Sequence, residues 1–545
     1  MTHDAEVLIV GGGPIGLALA IELGTRGIRV ILVERSARHS PQPRAKTTNV
    51  RSMEHFRRWG IADALRGSAP LPADYGTDVI FATRLFGHVL ARFENSFFGD
   101  RRLRDERFAE PAQWVPQYKV EAALRARAGA LPSVTLRMGV RLDALVQDAQ
   151  GVTGTVTDVA SGTTSTITAA YAVGADGARS PVRESIGASM SGEHAFAQHV
   201  NVVIRAPALA EAMRARPAIM YWLVNAEAAS VTGPMDRGDT WFFMFSLPNG
   251  AAVPDEAALR ARMTAAFGRS VETEVLVIDP WAAHSLIADK YREGRVLLAG
   301  DACHLHPPFG GYGMNLGLGD SVDLGWKLAA TLRGWGGSEL LDSYEAERRL
   351  VHRRVIDEAV ANHALLPKDL ARPDLETAGP VGDAVRAEVG RLISAGKERE
   401  FRSLGVVLGS RYADSPICIA DGSTPPEEHP TRYTPSAHPG CRAPHLWLAD
   451  GRSLFDLFGP GFTLLVALPG AAGAEDFAAA AAAAAVPLIV ADPGEARLAA
   501  LYAAPLALIR PDGHVAWRGP APGGAAATIL DQARGGRPHP GETNA

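Results

Sequence analysis

The stretch Glu6–Glu34, EVLIVGGGPIGLALAIELGTRGIRVILVE, reads as strand, turn, helix and strand. Its first five residues, EVLIV, read as a short buried strand, Gly11 to Gly13 make a turn, Pro14 to Gly27 suits a helix, and RVILVE restores strand texture. Gly11, Gly13 and Gly16 form GxGxxG directly between strand and helix. Glycines there permit a tight turn and close approach of backbone to a pyrophosphate, and a helix N-terminus offers unpaired N–H groups and a positive dipole end. Glu34 ends the second strand, where a carboxylate accepts hydrogen bonds from a ribose hydroxyl and repels a 2′-phosphate. The pattern predicts a βαβ unit that holds FAD or NAD rather than NADP.

A chain of 545 residues exceeds one ordinary hydrophobic core, so two or three domains are expected. A hydrophobic share of 47% with 21% charged residues is that of a soluble globular protein. The formal net charge of -5 argues against nucleic acid or an anionic membrane as partner, since either favours a basic surface, and points to a small molecule. Cys303, Cys418 and Cys441 are scattered and form no CxxC pair, which fits a reducing, cytoplasmic location. The first apolar stretch follows no basic region and is interrupted by glycines and Glu22, so it is read as neither signal peptide nor membrane span.

Further along, YKVEAALRARAGA (118–130) has helical spacing, and GVTGTVTDV with STITAAYAVGADG reads as hairpin-like strands returning to a glycine turn. From about residue 196 to 280, HVNVVIRA, PAIMYWLVN and TWFFMFSL suggest an antiparallel sheet. GRVLLAG then restores the buried-strand texture ahead of a long helical tract. The first domain is therefore expected to be discontinuous, 1–185 and 281–365, with a sheet domain inserted at 186–280. A helical connection (366–420), a linker rich in Pro, Thr, Ser and His (421–440) and a small α/β domain (441–545) complete the chain.

VGADGARSPVR (173–183) places Asp176 and Gly177 in a turn after a strand, and RVLLAGDACH places Gly300 and Asp301 after another. An aspartate so placed accepts hydrogen bonds from ribityl hydroxyls, which flavins carry and NAD lacks. GxGxxG, DG and GD in this order resemble the single-component FAD-dependent aromatic hydroxylases, the group of p-hydroxybenzoate, phenol and polyketide hydroxylases, over residues 5 to about 360. The resemblance implies an α/β architecture: a Rossmann-like FAD-binding domain, an inserted antiparallel β-sheet substrate domain, and a thioredoxin-like C-terminal domain echoed in PGCRAPHLWLADGRSLFDLFGPGFTLL. It implies that Arg35 lies near the adenosine, Arg44 near the pyrophosphate and the path of the nicotinamide nucleotide, and that Gln117 contacts FAD. It also implies that the Met314 and Asn315 backbone meets the pyrimidine end of the ring, and that the Pro308 carbonyl lies near the hydroxyl of a bound phenol. The implied reaction uses NADPH or NADH and dioxygen to hydroxylate a phenolic or polyketide-like aromatic through a flavin C4a-hydroperoxide. Alternatives are Baeyer–Villiger or rifamycin-type oxygenation on the same fold, or a flavin dehydrogenase that excludes dioxygen.

GDACHLHPPFGGYGMN (300–315) admits two readings. Cys303, His304 and His306 suggest a metal, but they lie too close together for a tetrahedral site and no matching cluster occurs elsewhere, so no metal is expected. Gly310, Gly311 and Gly313 instead let backbone N–H groups pack on an isoalloxazine ring. The helix starting near Met314 then points its positive end where charge collects on reduction. In IMYWLVN and WFFMFSL, alternate side chains face opposite ways. Either Met220 and Trp222 or Tyr221 and Leu223 look toward the flavin, and likewise either Phe243 and Phe245 or Phe242 and Met244. Met220, Trp222 and Phe243 are the expected substrate-facing set, and His194 and His199 are candidates for deprotonating a phenol. Without a CxxC pair, the C-terminal domain is expected to serve structure or subunit contact in a homodimer.

Overall fold

The computed structural model describes residues 3–37, 45–72, 74–236 and 239–536. Strand Ala5–Val10 is apolar and buried along nearly its whole length, as a strand covered by helices on both faces must be. It pairs in parallel with Val30–Glu34 on one side and with Thr164–Gly174 on the other. Val134–Met138 and Val296–Leu298 continue the sheet outward, also in parallel. Val296–Leu298 thus returns to the first sheet from far along the chain. Val152–Asp158 and Thr164–Gly174 form the hairpin read from the sequence, with Val140–Gln147 added at its edge. Helix Pro14–Gly24, opened by a proline in its first turn, packs against helices Gln117–Gly129 and Gly313–Leu332.

The second sheet runs His304–Leu305, Glu274–Ala288, Met190–Arg205, Thr240–Leu247, Ser230–Pro234, Met220–Leu223, Val79–Ala82 and Val89–Phe93. It is not confined to 186–280, because Val79–Phe93 supplies two strands from within the first expected domain, and Met220–Leu223 meets Val79–Ala82 in parallel. One face buries Ile80, Tyr221, Trp241 and Phe243 against helix Glu256–Phe267. The other carries Phe81, Trp222, Val231 and Phe242 toward helix Pro380–Phe401 and the first domain.

The C-terminal sheet has the order Leu488–Ala491, Phe462–Val466, Leu506–Ile509, Val515–Gly519, with only the first pair parallel. An alanine-rich run beside this sheet forms helix Ala474–Ala483. This domain packs Phe462, Leu464 and Leu508 on Trp326, Trp335 and Leu340 of the first domain. Beside that contact, Arg510 reaches Asp323 at 3.0 Å, Glu347 at 2.5 Å and Asp512 at 2.6 Å, while Lys327 reaches Asp323 at 2.9 Å and Glu347 at 2.6 Å, all of them buried. Among the described residues, no helix is long and apolar enough to cross a membrane.

Candidate active site

A cavity of about 470 Å³ lies between the carboxyl ends of the parallel strands and the inner face of the second sheet, the place where open α/β sheets bind ligands. Gly11 enters it at φ +111°, and a Cβ there would stand 2.2 Å from the Ala175 carbonyl oxygen. A Cβ at Gly16 would stand 1.9 Å from the Gly11 carbonyl oxygen, so turn and helix close on each other only without side chains. At Gly13 a Cβ would meet nothing within 4 Å, and this position lines the cavity. Gly13 caps helix Pro14–Gly24 without a side-chain hydrogen bond, which leaves the first-turn N–H groups for an anion.

Acceptors surround this turn. Glu34 lines the cavity, its Oε2 accepting from Gly12 N at 2.7 Å and its Oε1 from Ser36 N at 2.8 Å. Arg35 and Gln117 line it too, and Gln117 Nε2 donates to Glu121 Oε1 at 2.8 Å. Arg44 lies outside the described residues. Asp176 Oδ2 accepts from Val182 N at 3.1 Å, whereas its Oδ1 is buried without a hydrogen-bond partner among the described residues. Burial pushes this carboxyl up in pKa, against the lowering effect of Ser180 and the Val182 N–H. Asp176 lines the cavity, and a carboxylate there can accept from a ribityl hydroxyl. Asp301 lines the same wall. The open glycine, the uncapped helix end and the carboxylates of the cavity wall together fit FAD.

The loop after Pro307 also borders the cavity. Pro308, Phe309, Gly310, Gly311, Gly313 and Met314 line it, and helix Gly313–Leu332 starts there with no side-chain cap. Asn315 is not part of this wall. Its Oδ1 accepts from Asn49 N at 2.9 Å and its Nδ2 donates to the Thr47 and Gly311 carbonyls at 2.9 and 2.6 Å, stapling the loop to the segment opposite. Behind the loop, Asp320 is saturated: Oδ2 accepts from Gly300 N at 2.9 Å and His304 Nε2 at 3.1 Å, and Oδ1 from Arg348 Nε at 2.8 Å and His352 Nε2 at 2.7 Å. The turn that carries Asp301 is therefore anchored at both ends to one carboxylate.

Cys303, His304 and His352 bring ligand-type atoms within 4.8 Å of one another. Both histidines are committed to Asp320, and the Tyr291 hydroxyl lies 2.8 Å from His352 Nδ1. Burial drives the Cys303 thiol well above its ordinary pKa and holds His352 down at about 3. These groups act as a hydrogen-bonded core behind the turn. His306, by contrast, lines the cavity, with Nδ1 2.8 Å from the Pro307 carbonyl and Nε2 left without a partner among the described residues.

At the far end the wall is aromatic. Met220 and Trp222 line it, and the pairing of Trp222 with Val231 and of Val231 with Met244 sets the register. Phe242 and Met244 therefore face the cavity, and the expectation for Phe243 is corrected: it points to the opposite face, against Phe245 and Phe267. Neither His194 nor His199 lines the cavity. His199 is stacked 4.3 Å from Trp281, with Nε2 3.3 Å from His363 Nε2, and burial lowers its pKa to about 4. His194 is exposed beside His284. Two charged residues escaped notice: Lys46, whose Nζ lies 4.1 Å from the Phe242 ring centroid and whose pKa burial lowers to about 8, and Glu400. Lys46 lies two residues past Arg44, whereas Glu400 carries no motif.

A Rossmann-like domain, an inserted sheet and an acceptor-lined cavity between them define a flavoprotein oxidoreductase. Residues 4–359 match the FAD binding domain family, and residues 436–535 match the family of aromatic-ring hydroxylase C-terminal domains. The chain belongs to the FAD-dependent aromatic hydroxylases and is a flavin-dependent monooxygenase. It is 37% identical over 481 residues to aklavinone 12-hydroxylase DnrF of Streptomyces peucetius, covering 86% of this chain and 92% of that one. The rebeccamycin biosynthetic enzyme RebC with reduced flavin superposes with a TM-score of 0.89 at 36% identity, covering 98% of this chain and 99% of that one. A ternary complex of aklavinone-11 hydroxylase with FAD and aklavinone superposes with a TM-score of 0.82 at 30% identity, covering 98% and 99%.

Proposed function

We propose that this enzyme hydroxylates a polycyclic phenol of the polyketide kind, with electrons from NADPH or NADH and the oxygen atom from dioxygen. The observation that carries the reading is the division of one cavity into an end of glycine, helix terminus and aspartate and an end of Trp222, Phe242, Met244 and Phe309. Relatives named for aklavinone support a substrate of that class. Gly13 and the start of helix Pro14–Gly24 would hold the pyrophosphate, Glu34 a ribose hydroxyl, Arg35 the adenosine side, and Asp176 and Asp301 the ribityl hydroxyls, with Gln117 alongside. Bound FAD supplies electron transfer and dioxygen activation.

The chain does the rest. The uncapped start of helix Gly313–Leu332 favours negative charge beneath Gly313 and Met314. The aromatic wall keeps water from the reacting centre. The Pro308 carbonyl accepts from Gly311 N at 3.1 Å and retains a second lone pair for a substrate hydroxyl. The test is pyridine-nucleotide oxidation and oxygen uptake by the holoenzyme over a panel of aromatic phenols. A phenol that accelerates both equally and leaves as a ring-hydroxylated product by NMR is expected. Nucleotide oxidation without oxygen uptake would reject the reading, and a lactone product would move it to Baeyer–Villiger chemistry.

A further inference from the structure

Helix Pro380–Phe401 packs along strand Val89–Phe93 and ends at the aromatic part of the cavity. Phe401, its last residue, meets Phe93, Phe97 and Trp222 at ring distances of 5.0, 5.6 and 6.0 Å. One turn earlier, Lys397 is buried, with Nζ donating to Glu400 Oε2 at 2.7 Å and to the Asn362 carbonyl at 2.8 Å, and standing 4.2 Å from the Trp222 centroid. Glu400 is only 3% exposed, yet it lines the cavity. Burial pushes its carboxyl up in pKa, against the lowering effect of Lys397 and of the Gly310 N–H in the flavin loop.

A carboxylate offers about four lone-pair sites. Lys397 occupies one, which leaves acceptor capacity on a residue that lines the cavity. An ion pair wanted only for packing could be replaced by apolar side chains without loss, and would gain nothing from a carboxylate on a ligand wall. We infer that Glu400 is a specificity-determining residue that accepts a hydrogen bond from a hydroxyl group of the aromatic substrate and so anchors the ring beside the flavin loop. The ligand it takes is a polycyclic aromatic with a free hydroxyl donor. An analogue with hydrogen in place of that hydroxyl leaves the acceptor unpaired, and a carboxylate in its place is repelled. The inference rests on the phenolic reading of the site.

The experiment compares monohydroxyanthraquinones with anthraquinone, binding to the holoenzyme being read from the flavin absorbance spectrum. The wild type is expected to bind its preferred hydroxylated isomer about tenfold or more tighter than anthraquinone, as for a lost hydrogen bond to a charged group. Glu400→Gln should shrink that preference. Lys397→Met/Glu400→Leu, which leaves no unpaired buried charge, should abolish it while anthraquinone binding stays within about twofold. A preference persisting undiminished in a double variant that retains FAD and its thermal midpoint overturns the role of Glu400. Tight binding by the wild type without hydroxyl preference overturns it as well and leaves the phenolic reading standing. Failure of the wild type to bind any of these compounds overturns both.

Discussion

Replacing Asp176 with Asn separates a binding role from a packing role, because the two oxygens of this carboxylate are in different circumstances. Oδ2 accepts from Val182 N, and the amide oxygen of Asn can keep that bond. Oδ1 makes no hydrogen bond of ordinary length among the described residues, and there the variant presents an N–H pair instead. Hydrogen bonds to charged groups contribute about 1.5–3 kcal/mol and neutral ones about 0.5–1.5, so the exchange should cost FAD about 1 to 1.5 kcal/mol, roughly five- to twelvefold in Kd. The apoprotein should respond in the opposite sense. Burial raises the Asp176 pKa above its ordinary 3.8, so the folded apoprotein holds this proton more tightly than the unfolded chain does. The resulting stability is present below the ordinary value and lost as pH rises through the folded one. Asp176→Asn removes that loss, so its apoprotein should melt at or above the wild type near neutral pH, with the difference closing in acid. FAD titration by fluorescence quenching and thermal unfolding of the apoprotein at several pH values test both halves. An unchanged Kd together with a lowered apoprotein midpoint would refute the reasoning and make Asp176 a packing residue.

Three further outcomes are expected. Lys46 titrates near pH 8 because burial disfavours its charge, so affinity for the anionic cofactor should fall as pH rises past about 8; Lys46→Met should flatten that slope in FAD titrations, and a slope retained in the variant counts against it. Phe243→Ala should cost about 3–5 kcal/mol in denaturant unfolding and leave substrate KM unaltered, whereas Phe242→Ala should shift KM and substrate preference; equal effects on KM would show that the two faces are not distinct. Arg510→Met leaves Lys327 as the cation paired with Asp323 and Glu347 and takes the Arg510 guanidinium from Asp512, and should lower the denaturation free energy by about 3–5 kcal/mol; an unaffected midpoint would mean that the cluster contributes nothing net.

The parts of the site legible in the sequence are those where local spacing decides geometry. Gly11, Gly13 and Gly16 sit between a strand and a helix, and Asp176 and Asp301 each follow a strand that ends at the same edge of one sheet, so chain order alone brings them to a common cavity. Facing within the second sheet is a different problem. Whether Phe242 or Phe243 looks inward depends on Val231 lying opposite Met244, a pairing between strands that the period-two pattern of either one leaves undetermined. Val79–Ala82 escaped because a four-residue apolar run carries little periodicity, and its place beside Met220–Leu223 is a parallel, long-range pairing. Glu400 lies in KEREF, where charged residues read as a solvated face. Only tertiary packing of helix Pro380–Phe401 buries that turn, and no local signal announces it.

Helix Gly313–Leu332 explains why a C-terminal domain without a redox pair is held so firmly. Its first turn forms the cavity wall at Gly313 and Met314, its middle carries Asp320, which fixes the turn bearing Asp301, and one and two turns on Asp323 and Lys327 enter the charge cluster closed by Arg510. Loosening at Arg510 is therefore expected to reach the flavin loop, about three turns away along the same helix. The buried cluster costs desolvation that apolar packing would avoid, and it is a weak device for stability alone. A role that remains is orientation, in which charges with fixed hydrogen-bond directions would select one docking of Phe462–Val466 and Leu506–Ile509 on Trp326. Arg510→Met should therefore weaken FAD binding under conditions where the protein remains folded, although Arg510 lies outside the cavity wall. Full retention of FAD affinity in a destabilised Arg510→Met protein would confine the C-terminal domain to stability and sever the link along the helix.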